Sequence, residues 1–128
     1  LMRAHDAMLQ VQAAVACAAK PGVTGDEIYQ LALGIARQHG YAENFGGLGS
    51  DRITFVGHGV GLELDEFPFL AKGQTMPLEA GMVIAVEPKV TFANIGTVGI
   101  ENTFVVTERG AKRITRGSDE IGIVKRKK

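Results

Sequence analysis

Three side chains in this sequence are spaced so that they could share one piece of chemistry. Glu87 interrupts the apolar run Val83-Ile84-Ala85-Val86, and Glu101 follows Gly99-Ile100. Between them lies Asn94-Ile95-Gly96, a turn by composition. If the turn is centred on Asn94, positions 87 and 101 each lie seven residues from it and pair across an antiparallel hairpin. Directly opposed residues share one sheet face, with Cβ atoms about 5 Å apart. Two ionised carboxylates so placed repel each other, and burial makes the repulsion worse. A divalent cation between them or a shared proton relieves it, and so does a loose hairpin with one glutamate in solvent. His58 is the third residue. It sits in Phe55-Val56-Gly57-His58-Gly59-Val60-Gly61, where glycines permit close backbone approach and can aim the imidazole. A histidine with carboxylates suits first-row divalent metals, whereas a lone histidine in a glycine-rich turn also reads as structural.

The elements that must position these groups follow from the hydrophobic pattern. From Arg3 to Lys20, Met8, Val11, Val15 and Ala18 or Ala19 recur at helical spacing among many alanines, and Pro21-Gly22 ends the helix. A second helix opens at Thr24, where Thr24 and Glu27 form a capping box. Its expected buried stripe is Ile28, Leu31, Ile35 and their neighbours, and it stops near His39-Gly40 with Gly40 as the terminal glycine. After Gly46 the texture changes to glycines and short apolar runs. Met82 to Val90 reads as a strand covered on both faces, Gly99 to Thr107 as a second, and Ala111 to Thr115 as a short strand or turn. Helices followed by strands predict an α+β fold, with two N-terminal helices packed on an antiparallel sheet. His5 and His39, at helix positions, read as surface residues.

Bulk properties narrow the function. The 128 residues fit a single domain, 1–128, and 45% of them are hydrophobic, enough to bury a core. With 14 basic and 14 acidic residues the formal charge is zero, which gives no drive toward nucleic acid or an anionic membrane. The tail Lys125-Arg126-Lys127-Lys128 reads as a solvated terminus. One cysteine, Cys17, allows no intrachain disulfide and suits a reducing, cytoplasmic setting. No apolar run approaches the roughly 18 residues of a membrane span. The chain opens without Met and inside a helical pattern, which leads us to expect a piece of a longer protein.

Three ordered stretches then acquire a common meaning. Phe55 to Pro68 (FVGHGVGLELDEFP) resembles the histidine motif of the pita-bread metallopeptidases, the family of methionine aminopeptidase, prolidase and Xaa-Pro aminopeptidase. Leu78 to Pro88 (LEAGMVIAVEP) resembles that family's next motif, Gly99 to Thr107 (GIENTFVVT) its last, and Ala18 to Thr24 is similar as well. The resemblance covers nearly the whole chain and implies half of a pita-bread fold, the C-terminal half of a catalytic domain. It implies hydrolysis of N-terminal or Xaa-Pro peptide bonds by two divalent ions (Mn, Co, Fe or Zn) held by two aspartates, one histidine and two glutamates. His58, Glu87 and Glu101 match the last three ligands. The partners so implied are a peptide substrate and the N-terminal half of the same domain, and a homodimer stays open.

The departures matter too. Nothing in the chain matches the two aspartates, so it is expected to hold at most one ion, weakly, and to be inactive alone. Asp65 stands where many members carry a second histidine that acts on substrate. It reads either as a catalytic acid/base or hydrogen-bonding substitute, or as a surface residue of a pseudo-enzyme. Phe69 stands where prolidases carry an arginine for the substrate carboxylate. Phe67 and Phe69 read as specificity-pocket residues or as core, and Glu63 and Glu66 as solvated. Two other functions fit the same residues: a non-catalytic pita-bread module that binds peptides or proteins, and a metal-free hydrolase resembling creatinase.

Overall fold

The computed structural model describes residues 1–124, so the basic tail 125–128, read above as a solvated terminus, lies outside the described residues. Helix α1 spans Met2–Ala18. Met8, Val11 and Val15 form its fully buried stripe, with Ala4 and Ala7 continuing it toward the N-terminus. Helix α2 spans Gly25–Gln38 and begins with the expected capping box. The Glu27 backbone N–H donates to Thr24 Oγ1 (3.3 Å), and the Thr24 N–H donates to the Glu27 carboxylate (2.8 Å). The bond from the Thr24 backbone, then that from its hydroxyl, holds the Glu27 carboxyl below the ordinary glutamate range. At the other end Gly40 adopts φ 79°, a left-handed conformation in which a side chain is strained.

The buried stripe of α2 keeps Ile28 but otherwise runs through neighbours of the expected residues and not through Leu31 and Ile35 themselves. It is Ile28, Tyr29, Ala32 and Ala36, while Leu31 is 36% exposed and Ile35 only half-buried. Residues four apart stack on one helix face, and small Ala32 and Ala36 let α2 lie close to α1 and the sheet. His5 also departs from expectation. It is buried, and its Nε2–H donates to the Asp119 carbonyl at 2.7 Å, because the C-terminal segment folds back over α1. His39 is exposed, with Nε2 3.0 Å from Gln10 Oε1.

Seven strands follow among the described residues: β1 Phe55–Gly59, β2 Glu66–Ala71, β3 Val83–Val86, β4 Lys89–Phe92, β5 Gly96–Gly99, β6 Asn102–Thr107 and β7 Gly110–Arg113. Five form an antiparallel sheet in the order β2-β1-β3-β6-β7, and β4-β5 form a separate two-stranded ribbon. The helices pack on this sheet, α1 over β3 and β7 and α2 over β2 and β1, with Phe45, Val56, Leu70, Ile84, Val86, Val90 and Val106 filling the core between the layers. The α+β architecture, two helices on an antiparallel sheet, is the one the sequence implied.

Two expected strands are each broken in two. Met82 to Val90 divides into β3 and β4 at Glu87-Pro88, and Gly99 to Thr107 divides into β5 and β6 at Ile100-Glu101. Pro88 has no N–H to give to a ladder, so regular pairing stops there. The register nevertheless runs straight through. Val86 pairs with Asn102 above the break and Lys89 with Gly99 below it, and the Ile100 N–H reaches the Pro88 carbonyl between them (3.3 Å). The hairpin ends at Phe92↔Gly96, and Asn94 turns the chain with φ 60°.

Candidate metal centre

His58 sits on β1, which is squeezed between β2 and β3. A Cβ on Gly57 would lie 2.2 Å from the Ala85 carbonyl oxygen, and one on Gly59 would lie 2.2 Å from that of Phe67. Only glycine fits on either side of the histidine. His58 itself is 6% exposed. Its Nδ1 lies 2.9 Å from the Gly59 carbonyl, which can only accept, so Nδ1 carries a proton. Nε2 then faces two carboxylates: Asp65 Oδ1 at 3.1 Å and Glu87 Oε1 at 3.4 Å. An imidazole nitrogen beside carboxylate oxygens is a donor combination suited to first-row divalent ions. The Phe55 ring stands nearly perpendicular to the imidazole, centroids 6.5 Å apart.

The ladder explains why Glu87 meets His58. His58 pairs with Ala85, so Glu87, two residues on, is its diagonal neighbour on the same face. The Glu87 N–H donates to the Val56 carbonyl (2.9 Å), which carries the β1–β3 ladder as far as this residue. By the register described above, Glu101 stands directly opposite Glu87. Both line a cleft of about 250 Å³ together with Pro88, Lys89, Thr97, Gly99 and Ile100. Glu101 is exposed, and neither an ion pair nor a hydrogen bond engages its carboxylate among the described residues. No three His, Cys, Asp or Glu side chains converge closely enough to hold a metal ion among the described residues.

A further cation is present that the sequence reading passed over. Lys89 Nζ pairs with Glu87 Oε2, and it also stands 5.9 Å from the Phe55 ring centroid. Positions 87 and 89 share a face by strand alternation, so the signal was in the sequence. Pro88 between them obscured it, because a proline leaves the alternation on its far side uncertain.

Behind the break, a buried polar network fixes both chains. Gln12 of α1 donates to the Val86 carbonyl (3.0 Å) and accepts from Asn102 Nδ2 (2.9 Å). Asn102 also donates to Asp119 Oδ1 (3.1 Å) and accepts from the Thr115 hydroxyl (2.7 Å). Arg113 closes the network on Asp119 at 2.6 Å. Val86 and Asn102 immediately adjoin Glu87 and Glu101, so α1 holds the two carboxylate positions from the rear.

The remaining candidates are more dispersed. Asp65 touches His58 from a loop, with its side chain 48% exposed. Phe67 is exposed and Phe69 half-buried on β2, their rings edge to face with centroids 4.9 Å apart. Neither lines the Glu87–Glu101 cleft. Glu63 is exposed, and half-buried Glu66 accepts from the Glu63 N–H at 3.1 Å. A larger cavity, about 410 Å³, is bounded by Tyr29, Leu33, Arg37, Arg52 and Lys72 and holds none of these groups. No helix is long and apolar enough to cross a membrane among the described residues.

Comparison with known proteins places this architecture. Residues 1–108 match Metallopeptidase family M24. The Xaa-Pro dipeptidase of Pyrococcus furiosus is 38% identical over 117 residues, covering 91% of this chain and 32% of the relative. The X-Pro aminopeptidase of Thermotoga maritima superposes with a TM-score of 0.86 at 31% identity, over 96% of this chain and 33% of that one. The N-terminal domain of FACT complex subunit SPT16 from chickpea gives a TM-score of 0.73 at 18% identity, a likeness of fold alone. The chain spans about a third of the length of the relatives it matches. With two helices on an antiparallel sheet, and with this match over most of its length, the chain belongs to Metallopeptidase family M24 and carries part of its pita-bread fold.

Proposed function

We propose that this chain contributes His58, Glu87 and Glu101 to a divalent-metal site that hydrolyses N-terminal or Xaa-Pro peptide bonds. In this reading residues 1–128 are the C-terminal half of a catalytic domain, and the other ligands come from the N-terminal half of the same protein. The carrying observation is the imidazole of His58, whose Nδ1 proton is committed to a carbonyl and whose Nε2 points at the Glu87 carboxylate. A backbone partner on the far ring nitrogen is what orients a metal-ligating histidine. The donor set, one imidazole nitrogen and carboxylate oxygens, fits first-row divalent ions such as Mn, Co, Fe or Zn. Bound ions would supply a Lewis acid and an activated water.

The chain's own residues do the rest. Gly59 fixes the ring, Glu87 and Glu101 approach from opposed positions, and Asp65 stands within hydrogen-bond distance of Nε2 as an acid/base or orienting group. Phe67 and Phe69 offer an apolar surface to a substrate side chain. With three ligands the chain alone holds at most one ion, weakly, and turns over no peptide. A homodimer and a cytoplasmic location belong to the same reading. A metal-free, creatinase-like hydrolase is the second reading, favoured by Lys89, which already neutralises Glu87.

Titrating Mn2+ into the chain, with calorimetry and thermal melting as readouts, tests the proposal. Binding that is weakened by His58→Ala, Glu87→Gln and Glu101→Gln alike supports the metal reading. Binding indifferent to all three substitutions rejects it.

A further inference from the structure

We propose that Lys89 is a built-in competitor for the metal: its ammonium occupies the Glu87 carboxylate, and a divalent ion must displace it to bind. The inference rests on the metal reading above and concerns how the site is loaded. Glu87 and Lys89 share a face across Pro88, and the ladder on both sides of that proline fixes the spacing of their backbones. The pair is sheltered, with side chains 16% and 30% exposed. Phe55 holds the ammonium from the other side, at a distance suited to a cation–π contact. The two oxygens of Glu87 are thus divided, Oε1 toward His58 and Oε2 toward Lys89.

A divalent ion at Glu87 would meet the ammonium as a like charge in a partly desolvated setting, where Coulomb repulsion is weakly screened. The four-carbon stem of lysine lets the ammonium withdraw into the adjoining cleft, which Lys89 itself lines. Loading therefore exchanges one cation for another. Metal affinity is set by the difference between the two, and the protein without metal keeps Glu87 neutralised instead of repelling Glu101.

The test compares Mn2+ binding by wild type, Lys89→Met, Lys89→Gln, Lys89→Arg and the exposed-site control Lys20→Met, using calorimetry for affinity and circular dichroism for folding. Both neutral variants are expected to bind Mn2+ about tenfold more tightly or better, equivalent to about 1.4 kcal/mol. Lys89→Arg and Lys20→Met should stay at the wild-type level. Metal should raise Tm more in the neutral variants than in wild type, because they lose the internal cation. Wild-type affinity in folded Lys89→Met and Lys89→Gln overturns the Lys89 proposal and leaves the metal reading standing. Equal tightening by Lys20→Met overturns it as well, reducing the effect to net charge. Absence of Mn2+ binding in every variant overturns both.

Discussion

Replacing Asn102 by alanine attacks the support of the site without touching its face. Asn102 is 4% exposed, and its amide joins Gln12 Oε1, Asp119 Oδ1 and the Thr115 hydroxyl. Thr115 is exposed and Asp119 half-buried, so water can replace what they lose. Gln12 is buried, and its oxygen would be left without a donor, which costs roughly 1–3 kcal/mol. Adding a modest loss for the two wetter bonds gives about 2–4 kcal/mol, a large share of the roughly 5–15 kcal/mol of a typical domain. Urea unfolding followed by circular dichroism reads this directly. With a slope of about 1–3 kcal/mol/M, the midpoint should fall by on the order of 1–2 M while the slope is unchanged. A cycle with Gln12→Ala should show a coupling of about 1 kcal/mol or more, since the second substitution removes the group that the first one orphaned. A loss under about 0.5 kcal/mol, or strict additivity with Gln12→Ala, would refute the reasoning.

Other outcomes follow from single features. Glu27→Ala should destabilise the chain at neutral pH, and the difference from wild type should shrink as pH falls. The Glu27 carboxyl is depressed in the folded state, so its contribution is present above the ordinary glutamate range and lost as pH drops through the folded value; melting curves from pH 7 to pH 3 check this. Gly57→Ala should cost upwards of about 4 kcal/mol or prevent folding, because the new methyl would overlap the Ala85 carbonyl and β1 cannot move away from both neighbours. Expression yield and a urea melt decide it. Glu101→Gln should leave stability within about 0.5 kcal/mol, since its exposed carboxylate bonds to nothing among the described residues, while lowering Mn2+ affinity. A large stability loss would show that Glu101 has a structural partner.

The parts of the fold that could be read from the sequence are those governed by short-range rules. The capping box at Thr24 and the turn at Asn94 depend on residues a few positions apart, and both formed as expected. Antiparallel pairing fixes its own register once the centre is known, so counting from Asn94 was enough to oppose positions 87 and 101. The strand boundaries were less legible, because Pro88 could be read as closing one strand as easily as joining two. Gln12 and Asn102 are 90 residues apart in sequence, and no local pattern couples them. The burial of His5 likewise depends on Asp119, 114 residues away. At the candidate site, strand alternation relates Glu87 to Lys89, but Pro88 between them leaves the alternation beyond it open in the sequence.

That unslipped register carries a rule about insertions and deletions. Residues 93–95, outside the rungs of the hairpin, can lengthen or shorten and leave every pair from Phe92↔Gly96 inward as it is. A single residue added between Glu87 and Phe92 without a partner between Gly96 and Glu101 would shift one chain by one rung. It would turn one carboxylate to the opposite side of the sheet, toward α1. Lineages that keep this pair should therefore vary in length at the tip. Along the arms they should tolerate only matched changes or a compensating bulge.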